Sequence, residues 1–162
     1  MLEIIREEYK NEVDRGRSFD SRAGIFLPII GAVIVFLPEL VKEIKFKGKI
    51  GNIYEMFPYV SILILIIAAL YYLINSLNCF IKVLQSKEYK TINYNEFTEE
   101  NSLYDKSLFS LAVVEKYREI LDVNIPINDG KAELYKRGII MMRNSIFTII
   151  IIILLNIFIG LK

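Results

Sequence analysis

Residues 145–161 carry no charged side chain and include five consecutive isoleucines, Ile149 to Ile153. A helix built from them has no polar face, so it cannot lie on the surface of a water-soluble core. At about 1.5 Å per residue it covers roughly 25 Å, most of a hydrocarbon layer about 30 Å thick. Two further runs share the property: Tyr59–Ile81, of twenty-three residues, and Ala23–Pro38, of sixteen. Three such runs predict an all-α integral membrane protein, with three transmembrane helices and a cytoplasmic helical layer. The first run is the shortest and contains Pro28 and Pro38. A tilted, proline-kinked span is its favoured reading and a re-entrant segment the alternative.

The charge lies between these runs. Apolar residues make up 54% of the chain against the usual 45–50% or so, while charged residues stand at an ordinary 24%. With three spans in 162 residues there is no room for a large soluble domain. A formal charge of +1 gives no argument for nucleic acid as a partner. The absence of histidine removes the commonest general base and a common metal ligand. No phosphate-cradling glycine loop, metal-ligand cluster or nucleophile elbow occurs either. The chain is therefore read as a non-enzyme without a cofactor or metal. Glu96, Glu99, Glu100 and Asp105 form an acidic run that reads as a solvated loop. The lone Cys79 cannot form an internal disulfide and reads as a small packing residue. Residues 1–22 are charged throughout and do not resemble a signal peptide, so the first span is expected to be retained.

Basic residues set the expected topology. Five precede Ala23, four lie in 39–58, ten in 82–144 and one follows. With the N-terminus inside, fifteen fall on the inner side and five on the outer, which favours a cytoplasmic N-terminus. The resulting layout is a cytoplasmic amphipathic helix over 1–22 and two spans within 23–81 joined by an outer connection over 39–58. A cytoplasmic helical region follows over 82–144, then a third span over 145–161.

Leu2, Ile5, Tyr9 and Val13 repeat at helical spacing, with Gly16 a candidate interruption. Asp20 or Ser21 could cap the first span, and Arg22 stands where a cation meets lipid headgroups. The 44–51 segment reads as a solvated loop or a short interfacial ribbon. The second helix is expected to run on to about Glu88, followed by an irregular loop over 89–101. A helix from Leu103 to Asp122 carries a broad stripe through Leu108, Leu111, Ala112, Val113, Val114, Ile120 and Leu121 that calls for a partner. Amides and small residues within the spans (Asn75, Ser76, Asn78, Asn156, Gly24, Gly31, Ala32, Ala68 and Ala69) are candidate helix contacts.

The most specific pattern is Tyr117, Asn124, Asn128, Lys131 and Tyr135. At about 100° per residue these five share one helical face, as a register-setting stripe or a signal-sensing one. Pro126 leaves two arrangements open: a kinked continuous helix, or a break at 125–129 with Asn128 capping a new one. The segment Phe19-Asp20-Ser21-Arg22-Ala23-Gly24, with Tyr117, Asn124, Asn128 and Lys131 ahead of a last apolar helix, resembles a known class. Its members are the transmembrane effectors of bacterial cyclic-nucleotide antiviral defence, of the Pycsar and CBASS type, and the associated SLATT domains. The resemblance implies a homo-oligomer in the bacterial inner membrane, with membrane lipid as one partner and a signal-generating protein as another. It implies disruption of that membrane when a cyclic nucleotide or other signal arrives. A membrane scaffold subunit and a small channel component are the competing readings.

Overall fold

The computed structural model describes residues 1–42, 44, 53–86, 89–92 and 105–160. The described residues form three helices: α1 over Leu2–Lys42, α2 over Ile53–Leu84 and α3 over Lys106–Gly160. With 41 and 55 residues, α1 and α3 are rods of about 60 and 80 Å. The interruption expected at Gly16 and the break weighed at Pro126 do not occur. Pro126 lies on the exposed side of α3, as does Asp122, whose carbonyl it cannot bond. Asp20 and Ser21 likewise cap nothing, because α1 runs straight through them. The Leu103 start is corrected to Lys106, where the Asp105 side chain accepts the Ser107 N–H at 3.1 Å as an N-cap. The expected ribbon over 44–51 falls almost wholly outside the described residues.

Side-chain contacts fix the directions. Tyr9 packs on Tyr117, Asp20 on Lys131 and Phe26 on Tyr135, so α1 and α3 run parallel. Ser76 of α2 donates to the Gly138 carbonyl at 2.9 Å and Ser145 donates to the Ala69 carbonyl at 3.3 Å, so α2 runs antiparallel to both. The molecule therefore has two zones. One is a three-helix bundle around Ala23, Ile30, Leu37, Ile62, Ala69, Leu73, Phe80 and Ile152. The other is a two-helix stalk of α1 and α3, held by Ile5, Val114 and Leu121 with Tyr9, Tyr117 and Ile125.

The outside of the bundle is apolar. Val35, Phe36, Phe57, Leu63, Ile64, Ile67, Phe147, Leu154 and Phe158 are all exposed, a belt that water would not tolerate on an isolated bundle. All three helices are long and apolar enough to cross a membrane. Inside the bundle, Ser76 and Ala69 stand at helix contacts as expected, while the expected glycines do not. A Cβ on Gly138 would meet the Phe80 ring at 3.0 Å, whereas one on Gly24 or Gly31 would meet nothing within 4 Å. Asn75 donates to the Tyr71 carbonyl of its own helix and Asn78 is exposed. Asn156 is half-buried, and its side chain has no hydrogen bond to any described residue. Ser76 and Ser145, not these amides, tie α2 to α3, each bond worth about 0.6–2 kcal/mol between apolar helices.

Candidate functional site

Because α3 passes Pro126 unbroken, Tyr117, Asn124, Asn128, Lys131 and Tyr135 do share one face, and α1 covers it. The second wall is a short stretch that follows α2. That helix stops at Leu84, short of the expected Glu88, and residues 89–92 run without regular structure across the stalk. Tyr89 enters between α1 and α3, and Lys90 lies against α3.

Each member of the stripe has a distinct role in this junction. The Asn124 side chain accepts the Lys90 N–H and donates to the Lys90 carbonyl, both at 3.0 Å. It thereby satisfies both backbone groups of a residue that no helix or sheet serves. Asn128 accepts from the Tyr89 hydroxyl, and its amide donates to the Glu12 carbonyl and carboxylate, both at 2.7 Å. Lys131 donates to the two carboxylate oxygens of Asp20 at 2.6 and 2.8 Å, and its ammonium stands 4.8 Å from the Tyr89 ring centre. Tyr135 closes the bundle end of the stripe among Phe19, Phe26 and Phe80, with ring centres 5.8–6.1 Å away. Tyr117 closes the distal end against Tyr9 at 5.3 Å.

Burial makes the junction strict. Asn124, Asn128 and Lys131 are all buried, Lys131 at 3% exposure. A buried ammonium is tolerated only with a close counter-charge and further polar contacts, here Asp20 and the Tyr89 ring. Asp20 lies at 36% side-chain exposure, so water reaches the pair from its side. At the rim, Arg15 bonds Asp129 at 2.8 Å and Glu12 at 3.3 Å. The hydrogen bond to Asp129 is the main cause holding the Arg15 guanidinium above its ordinary range, partly offset by desolvation and aided by Glu12. Lys90 reaches the exposed Glu119 at 3.2 Å. That hydrogen bond, then the Lys116 charge, hold the Glu119 carboxyl below its usual range. Acidification through that lowered range removes this outer contact of residues 89–92.

Gly16 permits the arrangement. A Cβ there would lie 1.8 Å from the Tyr89 hydroxyl oxygen and 2.7 Å from the Asn128 side-chain oxygen. Gly16, Tyr89, Lys90, Glu12 and Arg15 all belong to the site; the sequence marked Gly16 only as a candidate interruption and the other four not at all. A glycine inside an otherwise strong helical pattern was the one available signal, since such a residue marks close approach as well as a break. Of the residues expected where the chain meets the membrane, Asp20 belongs to the site, whereas Arg22 and Gly24 are exposed and do not.

Among the described residues, no group of three or more carboxylates or thiols is placed to hold a metal ion. What the arrangement can do is hold three chain segments together through contacts that are polar, buried and separable. The distal stalk remains partly bare: Leu108 and Leu111 of the expected stripe are 60% and 52% exposed, and only Val114, Ile120 and Leu121 are buried. An open groove of about 370 Å³ lies beside them between Ile4 and Ile5 of α1 and Val114, Leu121 and Ile125 of α3. No family model matches the chain, and no curated protein or solved structure matches it either.

Proposed function

We propose that this protein is a membrane effector whose stalk responds to a signal and whose bundle, once released, disrupts the bacterial inner membrane. The observation that supports this reading is that one unbroken helix, α3, carries both the buried polar junction and the last apolar span. A rearrangement of the junction therefore shifts lipid-facing side chains without any intervening joint. A two-state element of this kind needs alternatives separated by only a few kcal/mol, and separable hydrogen bonds are suited to that. The resemblance to transmembrane effectors of cyclic-nucleotide defence supplies the trigger class and the outcome. The role is non-catalytic, with no cofactor of its own, and the working form is a homo-oligomer joined along the bare apolar stripe of the distal stalk.

In the inner membrane the stalk is cytoplasmic, following the excess of basic residues at that end. A reporter joined after Lys162 should be extracytoplasmic and one inserted near Asn95 cytoplasmic; a cytoplasmic C-terminus would refute the three-span arrangement. Light scattering of detergent-purified protein at micromolar concentration should give a mass above one chain. Leu108→Glu with Leu111→Glu should reduce it, and a monomeric wild type refutes the oligomer.

The functional test replaces Asn124 and Asn128 with leucine and follows entry of a membrane-impermeant dye into cells. Expression and insertion should persist while triggered leakage changes by about tenfold or more, the factor that corresponds to 1.4 kcal/mol in a two-state balance. Leakage identical to wild type would make the junction purely architectural. A wild type that never permeabilises cells under any trigger would replace the effector reading with that of a scaffold subunit.

A further inference from the structure

The outward face of α3 carries cations at two depths. Lys136 and Arg137 are exposed, and Arg143 is exposed seven residues beyond Lys136, about 10 Å along the axis. Seven residues return the helix to nearly the same face, so Ile140 and Arg143 follow Lys136 in one line. Below them the same side is exposed and wholly apolar, through Phe147, Ile150, Ile151 and Leu154. None of the three cations has an ion-pair or hydrogen-bond partner among the described residues. The nearest carboxylate on that side is Glu133, a turn above Lys136 and away from Arg143.

The two depths differ in kind. Lys136 and Arg137 lie about one helical turn from the level of Arg22 and Lys82, since Asp20 meets Lys131 and Phe80 packs on Tyr135. Together these four make an ordinary cationic girdle at one end of an apolar belt. Arg143 is not part of it. The Ser76–Gly138 and Ser145–Ala69 hydrogen bonds fix a register in which Arg143 is level with Tyr71, the thirteenth of the twenty-three uncharged residues of α2. A guanidinium there needs a counter-charge, and none comes from the described residues of its own chain. A second copy is poorly placed to supply one, because the uncharged runs contain no carboxylate. Glu39, the described carboxylate nearest in α1, is already held by Lys42 at 2.7 Å. What a membrane offers at this position is an anion covalently joined to hydrocarbon.

We infer that this face of α3 is a binding site for an anionic phospholipid. The phosphate sits at Arg143 and is drawn inward from the girdle, Lys136 and Arg137 hold the rest of the headgroup, and the acyl chains lie along Phe147, Ile151 and Leu154. The inference rests on the membrane-spanning reading of the chain but not on the effector reading.

The test reconstitutes the full-length protein in vesicles of phosphatidylcholine with one-fifth phosphatidylglycerol. It then counts the lipids that stay bound by native mass spectrometry after transfer to detergent. Wild type should retain phosphatidylglycerol in clear preference to phosphatidylcholine. Arg143→Gln should lower that retention about tenfold, the loss of one charge-assisted phosphate contact. Lys106→Gln, which removes an exposed charge on the distal stalk, should leave it unchanged. Equal retention of the two lipids, or wild-type retention by Arg143→Gln, overturns the site. So does displacement of the bound species by inorganic phosphate with no dependence on lipid, which would mark a simple anion site. A change in oligomer mass with unchanged lipid count would assign the face to contact between copies and overturn it as well. Failure of the wild type to float with vesicles would refute membrane spanning itself, a result distinct from all of these.

Discussion

Replacing Gly16 with alanine should expel the Tyr89 ring from between α1 and α3. The new methyl would lie 1.8 Å from the hydroxyl oxygen and 2.4 Å from the ring carbon bearing it, separations no unbonded pair of heavy atoms sustains. Considered as a helix residue alone, alanine at this position is better than glycine by about 1 kcal/mol. Against that gain stand the lost Tyr89–Asn128 bond, the loosened pairing of Lys90 with Asn124, and a buried amide left short of a partner. Each of these costs about 1–3 kcal/mol. The stalk should lose at least roughly 2 kcal/mol in net stability, read as faster hydrogen exchange of the amides of α1 near residue 16. The decisive comparison uses a Tyr89→Ala background. With the ring gone the space is open, and Gly16→Ala should then stabilise the stalk by up to about 1 kcal/mol. An equal loss in both backgrounds would mean that something other than Tyr89 limits the position.

The second large effect concerns the Asp20–Lys131 pair, and it should be asymmetric. Asp20→Asn leaves a 3%-exposed ammonium without its counter-charge and should destabilise by roughly 3 kcal/mol, the lower end of the range for broken buried pairs, since water reaches Asp20. Lys131→Met leaves a carboxylate that can hydrate, and should cost about half as much. Asp20→Asn with Lys131→Met should approach wild-type stability, because a matched uncharged pair removes both desolvation terms. Lys131→Glu should be the most damaging, since it sets a second carboxylate directly against Asp20. Thermal unfolding in one detergent across the set reads all four. Additive losses in the double variant would show that the two side chains do not depend on each other.

The three apolar runs were legible because a span of hydrocarbon demands continuous uncharged sequence, and nothing in folding rearranges that. The Tyr117–Tyr135 stripe was legible for a similar reason: it is periodic within one segment. Pro126 obscured it, since a proline both ends helices and sits within them, and only its exposed placement distinguishes the two outcomes. The partners of the stripe were not legible. Glu12 and Asp20 lie more than a hundred residues from Asn128 and Lys131, and Tyr89 almost forty, so no local pattern links them. The glycines were misjudged as a group. Gly24 and Gly31 look like sites of close packing in an apolar run but face outward, while Gly16 and Gly138 carry the contacts. Which side of a helix meets a neighbour depends on tertiary packing, and sequence spacing alone does not contain it.

The short path from α2 into the junction sets a limit on motion. Leu84 ends α2, and Tyr89 is already seated between the other two helices, five residues later. Even drawn straight, five residues reach no more than about 18 Å. The leash is therefore short compared with α2 itself, which is roughly 48 Å long. If α2 slid outward along the bundle by a few helical turns, the slack would run out and the next increment would pull on Tyr89. Displacement of a helix within the lipid would thus be converted into tension on a hydrogen-bonded tyrosine outside it. The same leash works in reverse: while Tyr89 stays seated, the depth of α2 is bounded from the stalk side.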